Sequence, residues 1–255
     1  MTTDFGRRFG STLAASAFAL AMVAAPASAG YLQFFGEDLN SSATVPLAAT
    51  PNSNAAQTAF LSSLVGVGTE TFEGFATNTP APLLLLFGAA GNATLSGGGG
   101  VISTVAPGST NGFGRYAISG SNFWEVNAGG GGNFLVTFTN PVAAFGFFGV
   151  DIGDFGGTLT LTLANGLSTV VNVPNSVGAN GSIDGSVLYF GIIGTTAADQ
   201  FTSVAFNTTI GQGDIFAFDN MTIGSLEQVR IPEPGTLALL GIALAGIGLS
   251  RRRKV

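Results

Sequence analysis

Thr158-Leu159-Thr160-Leu161-Thr162-Leu163, then Ala164-Asn165-Gly166-Leu167, then Ser168-Thr169-Val170-Val171-Asn172-Val173 is the stretch that decides the fold class. Successive side chains of a strand point to opposite faces, so strict alternation puts Leu159, Leu161 and Leu163 on one side and three threonines on the other. The leucine side requires cover; the threonine side tolerates water. Asn165-Gly166 supplies the positive φ angles of a tight turn and predicts a hairpin between the two runs.

The same texture of short apolar bursts between Gly, Asn, Asp and Ser extends in both directions. Strands are expected over 69–75, 83–87, 101–105, 134–138, 143–150, 187–193, 201–207 and 215–223. Phe145, Phe147, Phe190, Phe206, Phe216 and Phe218 fall inside them, where large rings fill an intersheet layer. Many short strands with scarcely any amphipathic helix predict an all-β, two-sheet β-sandwich, jelly-roll-like, with an immunoglobulin-type Greek key as the open alternative. Upstream, 30–67 reads as a covering segment with one short helix over 55–64, Phe60 and Leu64 on a common face. The sandwich is assigned to 68–226.

Both ends of the chain differ from this middle. Arg7 and Arg8, an apolar run over 13–25, and Ala27-Ser28-Ala29 before Gly30 form a secretory signal peptide over 1–29, cleaved between Ala29 and Gly30. Gly6-Arg7-Arg8-Phe9-Gly10 lacks the apolar pair of a twin-arginine signal, which favours the general secretion route. In the C-terminal segment, 227–255, Pro232-Glu233-Pro234 keeps the backbone extended, because each ring fixes φ and disfavours helix for the residue before it. An uncharged run over 236–249 follows, then Arg251-Arg252-Arg253-Lys254. As a helix, that run would be about 21 Å long against a hydrocarbon core of roughly 30 Å, so it spans by thinning the bilayer or by letting the cations snorkel. The cations should stay cytoplasmic, which leaves everything before Pro232 outside.

Once these ends are set aside, Arg115 and Arg230 face twelve acids over 30–230, a net charge of −10. Nucleic acid and anionic lipid surfaces are poor partners for such a body, since both require clustered cations. The chain has no His and no Cys, which removes the commonest neutral-pH base, thiolate chemistry, disulfides and iron-sulfur ligation. The core must hold the fold unaided, or with a hard cation bound through oxygen.

The tripartite tail resembles the PEP-CTERM sorting signal of Gram-negative bacteria, with Ile231 where Val is more usual. The resemblance covers about the last 25 residues. It implies recognition and cleavage by a membrane-embedded exosortase, with the product destined for the cell surface or the exopolysaccharide and biofilm matrix in a structural or adhesive role. An ordinary short tail anchor is the plainer reading. The middle looks like the lectin-like and carbohydrate-binding jelly rolls found in such proteins, on Glu70-Thr71-Phe72-Glu73-Gly74-Phe75, Phe145-Gly146-Phe147-Phe148-Gly149-Val150-Asp151-Ile152-Gly153-Asp154 and Phe216-Ala217-Phe218-Asp219-Asn220-Met221-Thr222-Ile223. In those folds the first and last strands lie side by side and a structural calcium can sit at their edge.

Three constellations are candidates for chemistry. Glu73 and Asp219, if paired by the first and last strands, and Asp151 with Asp154 in an acid-rich turn, are candidate calcium ligands; the plainer reading is solvated acids at strand ends. Trp124 and Tyr116, with Phe113, flank Arg115 and Glu125 in a Gly/Ser/Asn-rich region and are candidates for stacking on sugar faces, although a lone Trp is usually core. A glycosidase would need two carboxylates across a cleft, and no local motif marks a pair, so no catalytic residue is assigned. The Asn-x-Ser/Thr triplets at Asn40, Asn92, Asn180, Asn207 and Asn220 reflect surface composition, and neither Gly run is followed by the Lys of a phosphate loop. Expected partners are thus the secretion machinery, an exosortase, the inner membrane through the C-terminal helix, and extracellular polysaccharide.

Overall fold

The computed structural model describes residues 30–128, 134–152, 157–178, 183–208 and 214–230. The signal peptide with Ala27 and Ala29, the sorting motif Pro232-Glu233-Pro234, the basic stop Arg251–Lys254, Asp154 and Asn180 lie outside the described residues. The strands are β1 (Tyr31–Asp38), β2 (Thr69–Glu70), β3 (Leu83–Leu86), β4 (Asn92–Ser96), β5 (Val101–Thr104), β6 (Asn122–Asn127), β7 (Leu135–Val142), β8 (Ala144–Val150), β9 (Gly157–Leu163), β10 (Ser168–Asn172), β11 (Val187–Gly194), β12 (Phe201–Thr208) and β13 (Ile215–Gly224). One α-helix, α1 (Pro51–Ser62), accompanies them among the described residues.

All pairings are antiparallel. The first sheet runs β1-β11-β8-β13-β6-β5, with β2 added against β13, and the second runs β10-β9-β12-β7-β4-β3. From β6 onward the chain changes sheet at nearly every connection, the winding of a jelly-roll-like sandwich, and the immunoglobulin-type alternative gives way to it. The expected β9–β10 hairpin forms, with Ser168 opposite Thr162 and Val170 opposite Thr160, one residue away from the register that a two-residue Asn165-Gly166 turn would set. Its turn accordingly has three residues, Ala164, Asn165 and Gly166, between Leu163 and Leu167: only Gly166 has positive φ, at 84°, and Asn165 Oδ1 accepts the Leu167 N–H at 2.9 Å and holds the loop by a side chain.

Between the sheets the phenylalanines interlock. Phe134 and Phe206 have ring centroids 4.6 Å apart and Phe147 and Phe218 5.1 Å. Such contacts add about 0.5–1.5 kcal/mol per pair beyond area burial. A second apolar cluster lies on the outer face of the first sheet, where Phe148, Tyr189, Val150 and Ala217 are covered by Phe60 and Leu64. Over β8, β11 and much of β13 the first sheet is therefore buried on both sides, and the described residues there form three layers.

The covering layer is built locally. Asp38, at the end of β1, accepts the Asn52 and Ser53 N–H groups at 3.1 and 2.9 Å and the Ser53 hydroxyl at 2.7 Å, satisfying the free amides at the start of α1. Phe60 then seats against Gly146 and Gly191; a Cβ on Gly191 would stand 2.6 Å from its ring. The expected boundary at 67/68 does not divide the fold, because Tyr31–Asp38 pairs with β11 along its whole length. The strand expected over 69–75 contracts to Thr69–Glu70, since Phe72 turns into the core with a φ of 61°. Strands β1, β4 and β6 have no counterpart among the expected strands.

Candidate functional site

Trp124 does not stand where a sugar could reach it. It belongs to β6, points inward, is 0 % exposed and packs in the intersheet core, with Gly100 so close that a Cβ there would collide with the indole. Tyr116 is 7 % exposed and lies in the outer cluster, its hydroxyl donating to the Gly185 carbonyl at 3.0 Å and accepting the Leu47 N–H at 3.2 Å. Trp124 is structural, which corrects the stacking role expected for it, whereas Tyr116 keeps a narrow exposed edge on the wall of a cavity of about 610 Å³ that it shares with Pro46, Leu47, Asn54 and Ile118. The physical reason is that Trp124 faces the second sheet across the sandwich, where a large ring fills the intersheet volume.

The neighbouring groups do meet at the surface. Arg115 donates from Nε to Glu125 Oε1 at 2.6 Å and from Nη1 to the Ile215 carbonyl at 3.1 Å and Asp151 Oδ2 at 3.5 Å. Glu125 also accepts Asn111 Nδ2 at 3.0 Å and the Ser103 hydroxyl at 2.5 Å. The Phe113 ring, 67 % exposed, lies 5.4 Å from the Arg115 guanidinium carbon, a cation–π contact that holds an aromatic face to solvent. Glu125 also borders a depression of about 180 Å³ on the first sheet, lined with it by Gly98, Gly99, Val101, Val126, Asn127 and Ile215, while Phe113 stands outside that lining. The depression is smaller than the roughly 300–1,000 Å³ of an enclosed small-molecule pocket and suits one sugar ring or the edge of a chain. Asn127 and Ile215 escaped sequence reading because they become neighbours only through the pairing of β6 with β13.

Of the calcium candidates, the three that are described, Glu73, Asp219 and Asp151, are not brought into one cage. The expected juxtaposition of first and last strands occurs, Glu70 opposite Met221 and Thr69 opposite Thr222. Glu73 and Asp219, however, face N–H and O–H donors. Glu73 Oε1 accepts the Ser121 and Asn122 amides at 2.9 and 2.6 Å, and Asp219 Oδ2 accepts those of Ile118 and Ser119 at 2.7 and 3.3 Å. Asp219 Oδ1 takes the Asn220 amide at 2.7 Å. Together the two carboxylates clamp loop 118–122, and Gly120 between them has φ 67° and no room for a Cβ against Glu73. These N–H groups occupy the carboxylate oxygens that a cation would have needed. Asp151 instead faces Arg115 and the Gly185 amide. No group of three or more acids able to hold a metal occurs among the described residues.

Asp219 lies at a bulge where β13 exchanges β6 for β2 as its partner. Burial raises its pKa from 3.8 to about 7, partly opposed by the three amides and assisted by the nearby charge of Glu73.

The last of the described residues form a second fastening. Leu64 bridges to Val229, the Val65 amide donates to the Gln228 carbonyl at 2.8 Å, and the Arg230 amide donates to the Ser63 carbonyl at 2.8 Å. Arg230 is therefore held against the end of α1, two positions before Pro232. Among the described residues no helix is long and apolar enough to cross a membrane.

Comparison with known proteins places a PEP-CTERM protein-sorting motif at residues 230–254. The chain thus carries the C-terminal membrane-anchoring sorting signal of an exosortase-targeted, secreted surface protein. No curated protein matches the chain. Among solved structures, similarity is found to the CBM22-1 xylan-binding domain of Paenibacillus barcinonensis Xyn10C, 13 % identical with a TM-score of 0.37 over 65 % of this chain and 96 % of that one. The K2 cleaved adhesin domain of Lys-gingipain is 16 % identical with a TM-score of 0.36 over 62 % and 97 %. The family 11 carbohydrate-binding module of Clostridium thermocellum Lic26A-Cel5E is 13 % identical with a TM-score of 0.32 over 64 % and 96 %.

Proposed function

We propose that the β-sandwich is a non-catalytic adhesive domain that holds neutral polysaccharide outside the inner membrane, after a signal peptide has exported it and an exosortase has processed its tail. The observation that carries the binding role is the depression on the first sheet beside Glu125, Asn127 and Ile215, with the Phe113 ring held open on Arg115. A solvent-facing ring stacks on the apolar face of a pyranose, while carboxylate and amide groups bond its hydroxyls. The net charge of −10 over 30–230 repels anionic polymers and leaves uncharged ones as ligands. Glu125 and Asp151 are tied to one guanidinium, an arrangement suited to fixing a surface rather than to flanking a scissile bond.

In this reading the C-terminus remains cytoplasmic until cleavage near Pro232-Glu233-Pro234 releases the domain to the cell surface or matrix. Affinity electrophoresis of the full chain in detergent, through gels containing hydroxyethylcellulose or alginate, tests the binding. Retardation by the neutral polymer alone, weakened by Phe113→Ala, is the expected outcome. Migration unchanged by either polymer refutes it, and polysaccharide turnover abolished by Glu125→Gln or Asp151→Asn would make the protein a hydrolase instead.

A further inference from the structure

The second sheet presents an outer face that nothing covers among the described residues. None of its strands, β3, β4, β7, β9, β10 and β12, contains a charged residue, although the body carries twelve acids. Every described acid lies on the first sheet or in a connection. The pairing registers, followed across the face, align Ser168, Thr162, Ser203, Thr137, Thr94 and Leu84 in one row that crosses all six strands. Among the described residues, the five hydroxyls of this row have no side-chain hydrogen-bond partner. The flanking row behaves differently: Thr160 accepts Asn207 Nδ2 at 2.8 Å, and the Ser96 hydroxyl donates to the Leu135 carbonyl at 3.3 Å. That flanking row is completed by the apolar Val170, Ala205 and Leu135, so the line of unpaired donors and acceptors runs beside a row that offers none, ending at the exposed Leu84.

The spacing selects an occupant. Adjacent strands are about 4.8 Å apart, so the row is about 24 Å long and repeats at close to the advance of one pyranose unit along an extended glycan. Sheets twist by about 20–25° per strand, which prevents a rigid planar lattice from meeting all six positions and is followed by a polymer that rotates at each linkage. Hydroxyl pairs in which either partner donates suit a neutral polyol, and the absence of charge spares the contact any ion desolvation. A second copy of the chain would bring another strongly acidic body against this one.

We infer that this hydroxyl row is a second glycan-contact face, along which an extended neutral polysaccharide lies across the strands. The inference rests on the polysaccharide-holding role proposed above and adds a surface to it. With the depression on the first sheet, the domain would then touch polymer on opposite sides and cross-link it.

The test uses the full chain in detergent micelles and hydroxyethylcellulose gels. Thr94→Val, Thr137→Val and Thr162→Val combined remove three hydroxyls and keep β-branched residues suited to strands. Losing three net hydrogen bonds weakens binding by about tenfold or more, with the far-UV circular dichroism unchanged. Thr137→Lys, a single exposed change, gives the same direction if the triple variant fails to fold. Unchanged retardation of the variants, with Phe113→Ala still weakening it, overturns the second face and leaves the first site standing. Loss of all retardation in the unaltered chain removes both. A dimer in analytical ultracentrifugation that Thr137→Lys converts to monomer overturns the inference by showing that the face joins two copies.

Discussion

Replacing Asp219 by Asn should change how stability depends on pH. The Asp219 carboxyl is 0 % exposed and its pKa stands at about 7 in the folded chain against 3.8 for a free aspartate. The folded state therefore disfavours ionisation by about 4 kcal/mol, a large share of the 5–15 kcal/mol typical of whole domains. The sign follows from proton counting. Between pH 4 and 7 the folded chain holds a proton that the unfolded chain has released, so this group's stabilisation is complete below about pH 4 and declines as pH rises to about 7.

The amide introduced by Asp219→Asn cannot ionise. Its oxygen still accepts the Ile118 and Ser119 N–H groups, but its NH₂ faces the Asn220 N–H donor and leaves that contact unmatched. The mismatch costs about 1–3 kcal/mol at every pH. Urea unfolding at pH 4 and pH 8 checks the outcome: Asp219→Asn is less stable than the parent at pH 4, where the parent has lost little of this group's stabilisation, and the difference closes or reverses at pH 8, where the parent has lost about 4 kcal/mol of it. Parallel profiles for the two proteins would refute the buried, protonated carboxyl.

Gly191→Ala should cost about 1–3 kcal/mol in the same assay, because its Cβ would stand 2.6 Å from the Phe60 ring that fastens α1 to the first sheet. The single tryptophan, fully buried, should emit as a core indole and leave its spectrum unchanged when hydroxyethylcellulose is added; a ligand-dependent shift would restore Trp124 to the binding surface. Val229→Asp places a carboxylate in the Leu64 contact, and trypsin should then cut after Arg230 several-fold faster while Arg115, enclosed by Glu125 and Asp151, stays protected.

The second sheet was the legible half of the fold. Its strands are covered on one side, so Leu159-Thr160-Leu161-Thr162 alternates and the face turned to the core could be read directly. The first sheet is covered on both sides over β8, β11 and much of β13, which erases alternation: Ala144–Val150 and Val187–Gly194 are buried at every position and could be recognised only as apolar runs. Burial of successive residues likewise concealed β6, where Glu125 interrupts Phe123, Trp124 and Val126, and made an inward tryptophan look like a surface ring in a polar region. At the candidate site, the neighbourhood of Phe113, Arg115 and Glu125 was visible in the chain. Asn127, Ile215 and the threonine row were not, because register between distant strands creates them. Glu73 and Asp219 were recognised as a pair, but the loop amides that occupy them come from residues 118–122, which no local motif distinguishes.

Export and sorting can be read in one experiment, the intact mass of the protein recovered from the cell surface. The expected species begins at Gly30 and ends near Pro232-Glu233-Pro234, having lost both the arginine-bearing leader and the apolar tail. A full-length chain, soluble in the cytosol with both ends in place, would contradict an extracellular role for the sandwich.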